Sequence, residues 1–292
     1  MRLLQLGVRG STPAPGPEFV RYGGHTSCLA VLADGEDRPR LVLDAGTGLR
    51  SVTALMDGRP YRGAIVVSHM HWDHVQGIPF FAAGDRPDSD VAFYVPAQDG
   101  LSGRELLTGM MQPPHFPITP EGLQGAWSFT ALDTGWHDIE GFRVRAEEVR
   151  HKGGRTYGYR VEDASGSMAY IPDHVVSEGV SPDVRELIAG VDVLLHDAQF
   201  VVAERALADA YGHSTIGDAV DLAIDCQARS LTLFHHGPGR TDDALDEIAQ
   251  AATVISSALS VTVARQGDQI LIGSEAPAVH GRGSVGHVDT PG

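Results

Sequence analysis

Short apolar runs bounded by turn residues dominate the first part of the chain. Such runs predict buried strands, whereas apolar residues spaced three and four positions apart predict helices. On this basis we predict helices in "GLRSVTALM" and "DHVQGIPFF". The strands predicted here are "RLLQLGV", "SCLAVLAD", "RLVLDAG" and "AIVVSH".

The second half of the chain repeats this combination of strands and helices. Helical periodicity runs through "STIGDAVDLAIDC", which a Ser or Thr cap opens, and through "DDALDEIAQAATVISSAL". The strands predicted here are "FRVRAEEVRH", "TYGYRVED", "SMAYIPDH", "VDVLLHDA" and "LTLFHH". Two β-rich halves that each supply helices predict an α/β fold, in which two mixed sheets pack face to face between outer helical layers.

We expect residues 1–275 to form a single domain. The segment 100–126 is rich in Pro and Gly and interrupts the strand pattern, so it predicts a lid or loop beside a site. Residues 276–292 lack apolar periodicity and are predicted to be a disordered tail.

Composition and charge narrow the classes of function. The formal net charge of −16 disfavours a surface that wraps a polyanion, because such binding depends on many Lys and Arg contacts to phosphates. The two cysteines, Cys28 and Cys226, argue against a disulfide framework and against thiolate zinc sites. Any metal must therefore be held by His, Asp or Glu. No stretch approaches the ~18 apolar residues of a membrane helix, so we expect a cytoplasmic protein without a membrane partner.

Histidines and aspartates concentrate where predicted strands end. The stretch "SHMHWDHVQG" follows an apolar run and holds His69, His71, Asp73 and His74. His69 and His71 are two positions apart, so both imidazoles can converge on one cation, while the other two residues can face a second cation. A polar loop with chance histidines is the alternative, but further His and Asp residues follow apolar runs in the same way. These are His151, Asp173, His196, His235 and His236.

These residues carry a resemblance to a known family. "HMHWDH" is similar to the His-x-His-x-Asp-His signature of the metallo-β-lactamase superfamily, and a His, an Asp and a His follow in the family's order. The resemblance covers nearly the whole chain and implies the αββα four-layer sandwich of that family. Other blocks resemble the branch that includes ribonuclease Z and related phosphodiesterases, namely "RYGGHTSC", "GYRVE", "HDAQF", "GHST" and "FHHGPGRTDD".

By position, the resemblance implies two divalent metal ions that share a hydroxide. Zinc is the expected metal, with manganese or iron as alternatives. Asp73 would also orient the hydroxide, and His213 resembles a histidine that acts as general acid near the leaving oxygen. The alternative for His213 is a surface position beside the Ser214 cap. The implied ligands are His69, His71 and His151 for the first metal, Asp73, His74 and His235 for the second, and Asp173 as the bridge.

Other polar residues near these motifs are expected to support the site or to lie outside it. Asp44 lies in a strand too apolar for a solvated carboxylate, so we expect it to accept hydrogen bonds from a ligand histidine or from loop amides. His196 and Asp197 are either ligands or supports, and support is favoured because the implied ligands already fill two metal sites. His174 is expected at the surface. The sequence leaves open the roles of His25, His115, His196 and His236.

The resulting hypothesis is a dinuclear metal-dependent phosphodiesterase that acts on a small phosphodiester or a cyclic nucleotide. A tRNA 3′-end endonuclease is one alternative, which the order of motifs permits and the acidic charge disfavours. A hydrolase of lactones, esters or thioesters is another, because an activated hydroxide attacks a carbonyl carbon as readily as phosphorus. The resemblance also allows a homodimer.

Overall fold

The chain is described by a computed structural model that covers residues 1–255, 259–273 and 278–280. The first sheet contains, in chain order, β1 (Arg2–Gly7), β2 (Cys28–Leu32), β3 (Leu41–Leu43), β4 (Arg62–Val66), β5 (Asp90–Pro96) and β6 (Ala126–Leu132). The second sheet contains β7 (Gly135–Ile139), β8 (Phe142–Val149), β9 (Thr156–Asp163), β10 (Gly166–Ile171), β11 (Val193–Asp197), β12 (Ser230–Phe234) and β13 (Ser260–Val263). The chain then returns to the first sheet with β14 (Gln269–Leu271) and β15 (Ala278–His280).

Both sheets are mixed. Within the described ranges, the first has the order β15-β14-β1-β2-β3-β4-β5-β6, and the second the order β13-β12-β11-β10-β9-β8-β7. The strands β3 to β6 are parallel to one another, as are the strands β10 to β13. All other pairs of neighbouring strands are antiparallel. The carboxyl ends of these parallel strands carry the loops that form the site.

Helices cover the outer faces of the sheets. The α-helices are α1 (Arg50–Leu55), α2 (Trp72–Val75), α3 (Gly103–Thr108), α4 (Pro182–Ile188), α5 (Arg205–Tyr211), α6 (Ile216–Asp225) and α7 (Asp242–Ile255). Short 3₁₀ turns lie at Pro17–Phe19, Thr47–Leu49, Ile78–Phe80, Pro120–Gly122, Val176–Glu178 and Val202–Glu204. The predicted cap of α6 is Thr215, whose side chain accepts a hydrogen bond from the Asp218 amide at 3.3 Å.

Three apolar clusters confirm the predicted αββα sandwich. Alternate residues such as Leu29 and Val31 point between the sheets, where they meet Tyr159 and other residues of the second sheet. Their neighbours, such as Ala30, point outward and pack under α1 and α3. The outer face of the second sheet packs under α4, α6 and α7 in the same way. Burial on both faces explains why the central strands are continuous apolar runs rather than alternating ones.

The structure adds elements that the pattern did not predict. These are β5, β6, β7, β13, β14, β15, α3, α4 and α5. The predicted helix at "DHVQGIPFF" is two short pieces, α2 and a 3₁₀ turn, since Gly77 lies between them. The segment expected to be a lid contains α3, which packs on β5 and β6 with Leu107 buried. Apart from β15, the predicted tail lies outside the described residues.

In the described ranges, none of the helices combines the length and the apolar character needed to cross a membrane.

Candidate metal centre

The candidate residues meet where four strands end at one edge of the sandwich. β4 leads to His69, β8 to His151, β10 to Asp173 and β12 to His235. The backbone of His235 has a φ of 59°, a left-handed conformation that non-glycine residues seldom adopt. Such strain costs on the order of 1–3 kcal/mol and is common at functional sites, where the surrounding structure holds it in place.

Asp173 lies at the centre of the cluster. Its Oδ2 is 3.1 Å from His69 Nε2, 3.2 Å from His74 Nε2 and 3.6 Å from His151 Nε2. Its Oδ1 is 2.9 Å from His235 Nε2. One buried carboxylate therefore faces four imidazoles, and all five groups are of types that bind metal ions.

Asp73 lies at one side of this cluster, at the start of α2. Its Oδ2 is 3.1 Å from His235 Nε2 and 3.3 Å from His74 Nε2. The backbone amide of Ser11 donates a hydrogen bond of 2.6 Å to the same oxygen. The contact from Ser11, in the loop after β1, was not predicted, because nothing in the sequence links two segments so far apart.

Several buried atoms at the centre approach one another without forming hydrogen bonds. Among the described residues, His69 Nε2, His74 Nε2 and Asp173 Oδ1 have no hydrogen-bond partner. Leaving a buried polar atom unpaired costs about 1–3 kcal/mol, so lone pairs that converge in this way fit a cation between them. Imidazole and carboxylate donors suit zinc, manganese and iron.

The donor atoms fall into overlapping groups in which all atoms lie within 4.8 Å of one another. The groups are His69, His71, His151 and Asp173; then Asp73, His74 and His235; and then Asp173, His213 and His235. The first two correspond to the two sets of ligands that the resemblance implies. The cluster is therefore suited to metal binding, and every residue of the predicted ligand set is part of it.

Asp44 supports the His69–His74 segment through hydrogen bonds. It is fully buried, and its Oδ2 is 2.7 Å from His74 Nδ1 and accepts a hydrogen bond of 2.8 Å from the Tyr170 hydroxyl. The Ser68 amide donates to Oδ1 at 2.6 Å. A carboxylate on the far nitrogen of an imidazole fixes its tautomer and makes its other nitrogen a better ligand. Asp44 was predicted to accept hydrogen bonds from a ligand histidine or from loop amides, and the Ser68 amide confirms the second of these.

His213 and Asp197 form a buried pair next to the cluster. His213 Nδ1 is 2.9 Å from Asp197 Oδ2 and 3.9 Å from Asp173 Oδ1. Burial alone would lower the pKa of His213, but the Asp197 carboxylate outweighs it and raises that pKa above its usual value. His213 is thus a buried residue that faces the centre, and the alternative of a surface position is wrong.

Burial and neighbouring charges shift the pKa values of the clustered histidines in opposite directions. Burial, reinforced by neighbouring imidazoles, lowers the pKa of His69 to about 4, and burial lowers that of His151 to about 4. His235 differs, because Asp173 and Asp73 outweigh its burial and raise its pKa to about 10. His69 and His151 are therefore uncharged at neutral pH, so each can offer a nitrogen lone pair to a metal ion. The carboxylates of Asp73 and Asp173 attract positive charge to the site.

A cavity of about 440 Å³ opens over these groups. Asp73, Asp173, His213 and His235 line its floor, and the exposed indole of Trp72 lies at its edge. The volume suits a small organic molecule.

Three further histidines of the described residues, His25, His115 and His236, lie outside the cluster. His25 Nδ1 is 3.1 Å from Thr47 Oγ1 in a separate cavity, His115 is exposed, and His236 Nε2 contacts the Ala264 carbonyl at 2.8 Å. The contacts of His25 and His236 are therefore with groups outside the cluster.

The expectation that His174 lies at the surface is wrong. His174 is buried, and its Nδ1 is 3.0 Å from His196 Nε2. The His174 amide also donates to Asp197 Oδ2 at 3.1 Å, so the residue after Asp173 helps to hold the partner of His213. His196 and Asp197 support the site, as favoured, and neither belongs to the groups of converging donors described above.

A mixed αββα sandwich with a buried His and Asp cluster at its strand ends defines a class of metal-dependent hydrolases. The profile of the Beta-lactamase superfamily domain matches residues 39–236 of this chain. The chain belongs to the metallo-β-lactamase superfamily, in its ribonuclease Z-like branch, and is a metal-dependent hydrolase.

One relative supports this assignment, and two solved structures share the fold. A ribonuclease Z from Exiguobacterium sp. is 36% identical over 254 residues, which cover 71% of this chain and 83% of the relative. The solved structure of the metallo-beta-lactamase fold protein YhfI from Bacillus subtilis is 18% identical, covers 92% of this chain and 98% of its own, and has a TM-score of 0.67. That of a diphosphatase from the PhnP family is 20% identical, covers 93% and 97%, and has a TM-score of 0.65.

Proposed function

We propose that the chain is a dinuclear metal-dependent phosphodiesterase that acts on small phosphodiesters. The observation that carries this proposal is the convergence of unpaired buried imidazole and carboxylate atoms on Asp173, with the His213–Asp197 pair facing the same cavity. His69, His71 and His151 would hold one cation and Asp73, His74 and His235 the other, with Asp173 between them. When bound there, divalent cations would supply Lewis-acid chemistry, which activates water and neutralises charge on phosphate oxygens.

Side chains of the protein would orient the attacking water and protonate the leaving group. Asp73, fixed by the Ser11 amide, orients the attacking water. His213 gives a proton to the leaving oxygen through Nε2, because Asp197 holds Nδ1. The same Asp197 carboxylate keeps the ring in the required tautomer and raises its pKa, so that the proton is present when it is needed.

The comparisons support phosphodiester chemistry from two directions. One relative is a ribonuclease Z and one structural neighbour a diphosphatase, and both names refer to reactions at phosphorus. The ribonuclease Z relatives favour a second candidate, the endonuclease reaction at the 3′ end of tRNA. We prefer the small substrate because a formal charge of −16 opposes the approach of a folded polyanion, whose binding depends on released counterions.

A panel of substrates tests the proposal. Protein loaded with Zn²⁺ or Mn²⁺ would be given bis(p-nitrophenyl) phosphate, 2′,3′- and 3′,5′-cyclic nucleotides, lactones, thioesters and a tRNA precursor. We expect turnover of the small phosphodiesters, and its disappearance in the presence of a chelator. Cleavage of the tRNA precursor with no turnover of small diesters would select the endonuclease, and turnover of carbonyl substrates alone would reject phosphodiester chemistry.

A further inference from the structure

A second cavity adjoins the one over the metal centre. This side cavity, of about 430 Å³, shares Ser11 with the central cavity and is otherwise lined by Gln199, Phe200, Tyr211, Glu204 and Arg240, with the loop 237–239. The two cavities together extend the site well beyond the space that a phosphate group fills.

The side cavity begins at the His213 side of the centre. The Phe200 ring lies 6.0 Å from the His213 ring, between centroids. Tyr211 lines the side cavity and His213 lines the central one, although only Gly212 separates them. Gly212 makes this possible with a left-handed φ of 85° at the end of α5. Since His213 gives its proton to the leaving oxygen, a group attached to that oxygen extends toward Phe200 and Tyr211.

The walls of the side cavity combine aromatic rings with a polar end. The Phe200 and Tyr211 rings are nearly parallel, with 5° between their planes and 6.4 Å between their centroids. Tyr211 is 64% exposed, so a ligand entering the side cavity from solvent can reach its ring. An ion pair between Glu204 and Arg240 lies in the same cavity and offers charged donors and acceptors to the edge of a ring.

A buried arginine makes the far wall rigid. Arg9 has no exposed surface, and its Nη1 donates to the Arg240 carbonyl at 2.6 Å and to the Gly237 carbonyl at 3.5 Å. Its Nε donates to the Gly23 carbonyl at 2.7 Å. A fully buried guanidinium is costly, so its role in fixing this loop indicates a wall with a defined shape.

We propose that the side cavity binds a planar aromatic ring, such as a nucleobase, carried by the leaving group of the substrate. This inference rests on the proposed function, because it uses His213 to identify the side from which the leaving group departs. Stacking on Tyr211 and Phe200 would supply the affinity, and the Glu204–Arg240 pair would meet polar atoms at the edge of the ring.

Two inert ligands of equal charge test this proposal by calorimetry. Methyl(3-phenylpropyl)phosphinate and methyl(3-cyclohexylpropyl)phosphinate replace both bridging oxygens of a diester by carbon, so the protein cannot cleave them. We expect Mn²⁺-loaded protein to bind the phenyl ligand about tenfold more tightly, although the cyclohexyl ligand is the more hydrophobic one. Tyr211→Ala should abolish this preference, and Tyr211→Phe should retain it.

Trp72→Ala is the matched control, because Trp72 is also an exposed aromatic residue at the edge of the site, with 73% of its surface accessible. Its substitution should leave the preference intact. Equal binding of both ligands by the unmodified protein, a preference that survives Tyr211→Ala, or one that Trp72→Ala removes would each overturn the proposal. Hydrolysis of bis(p-nitrophenyl) phosphate, measured on the same samples, separates the two claims. Turnover without ring preference rejects only the side cavity, and ring preference without turnover rejects the phosphodiesterase.

Discussion

Carboxylates that do not belong to the predicted metal ligands contact histidines of the metal centre. Asp44 has a positive φ of 59° and full burial, and Ser68, His74 and Tyr170 all contact its carboxylate. His213 depends in the same way on Asp197. These partners give each imidazole its orientation and tautomer, so their removal affects metal binding or proton transfer without touching the substrate.

We predict that Asp44→Asn lowers metal affinity by about 10- to 100-fold, because the neutral amide no longer polarises His74. Competition with a coloured chelator measures this affinity. Asp88→Asn is the control, since Asp88 is an exposed partner of Arg86, and it should have no effect. Unchanged affinity in Asp44→Asn would remove Asp44 from the supports of the centre.

The role of His213 as proton donor can be tested with two kinds of leaving group. His213→Asn should slow hydrolysis of diesters with alkyl leaving groups by about 10²- to 10⁴-fold, because these oxygens leave only when protonated. It should change p-nitrophenyl release much less, since that leaving group needs no proton. The control is His137→Asn, on β7 and outside the cluster, where His137 Nε2 contacts the Asp133 carbonyl. Equal losses with both kinds of substrate would contradict the role of general acid.

Residues of the metal centre lie just after strands end, so the strands determine their positions. The central strands could be predicted from sequence because burial on both faces makes them continuously apolar. β6, β7 and β13 are edge strands, where partial exposure replaces that run by mixed residues, so the pattern did not reveal them. The short turn at Gly212, which separates Tyr211 from His213, follows from tertiary contacts with the His151 loop.

Gly212→Ala tests the importance of that turn. A Cβ there would lie 2.9 Å from Lys152 Cγ and 3.3 Å from His151 Nδ1, whose hydrogen bond to the Gly212 carbonyl spans 2.6 Å. We expect a loss of kcat/KM of about 10- to 100-fold from displacement of His151 and His213. Gly190→Ala shares the left-handed φ, at 63°, but its Cβ meets nothing within 4 Å.

Thermal melting and steady-state kinetics compare these two variants. Gly190→Ala should be destabilised by roughly 1–2 kcal/mol, the cost of a left-handed alanine, and should keep its activity. Gly212→Ala should lose more stability than Gly190→Ala, because its Cβ also clashes with Lys152, and only this variant should lose activity. Similar activity in the two variants would show that the turn does not position the site.

At the scale of the whole molecule, a two-sheet sandwich brings together residues that are far apart in sequence. The signature from His69 to His74 could be recognised because its residues are consecutive, and His151, Asp173 and His235 because each follows a predicted strand. The contacts of Ser11, the burial of His174 and the role of Arg9 depend on pairings across both sheets, which no local pattern contains. The net charge of −16 repels large anions, so it favours substrates whose few negative charges the metal centre can neutralise.

The proposed reaction depends on the capacity of this cluster to hold metal. Elemental analysis of protein prepared without chelators, and of protein reloaded with Zn²⁺ or Mn²⁺ and freed of excess ion, measures that capacity directly. We predict two equivalents of transition metal per chain, and a clear loss in Asp73→Ala, which removes a donor from one of the two groups. Protein that contains no transition metal and takes up none on reloading would contradict the account.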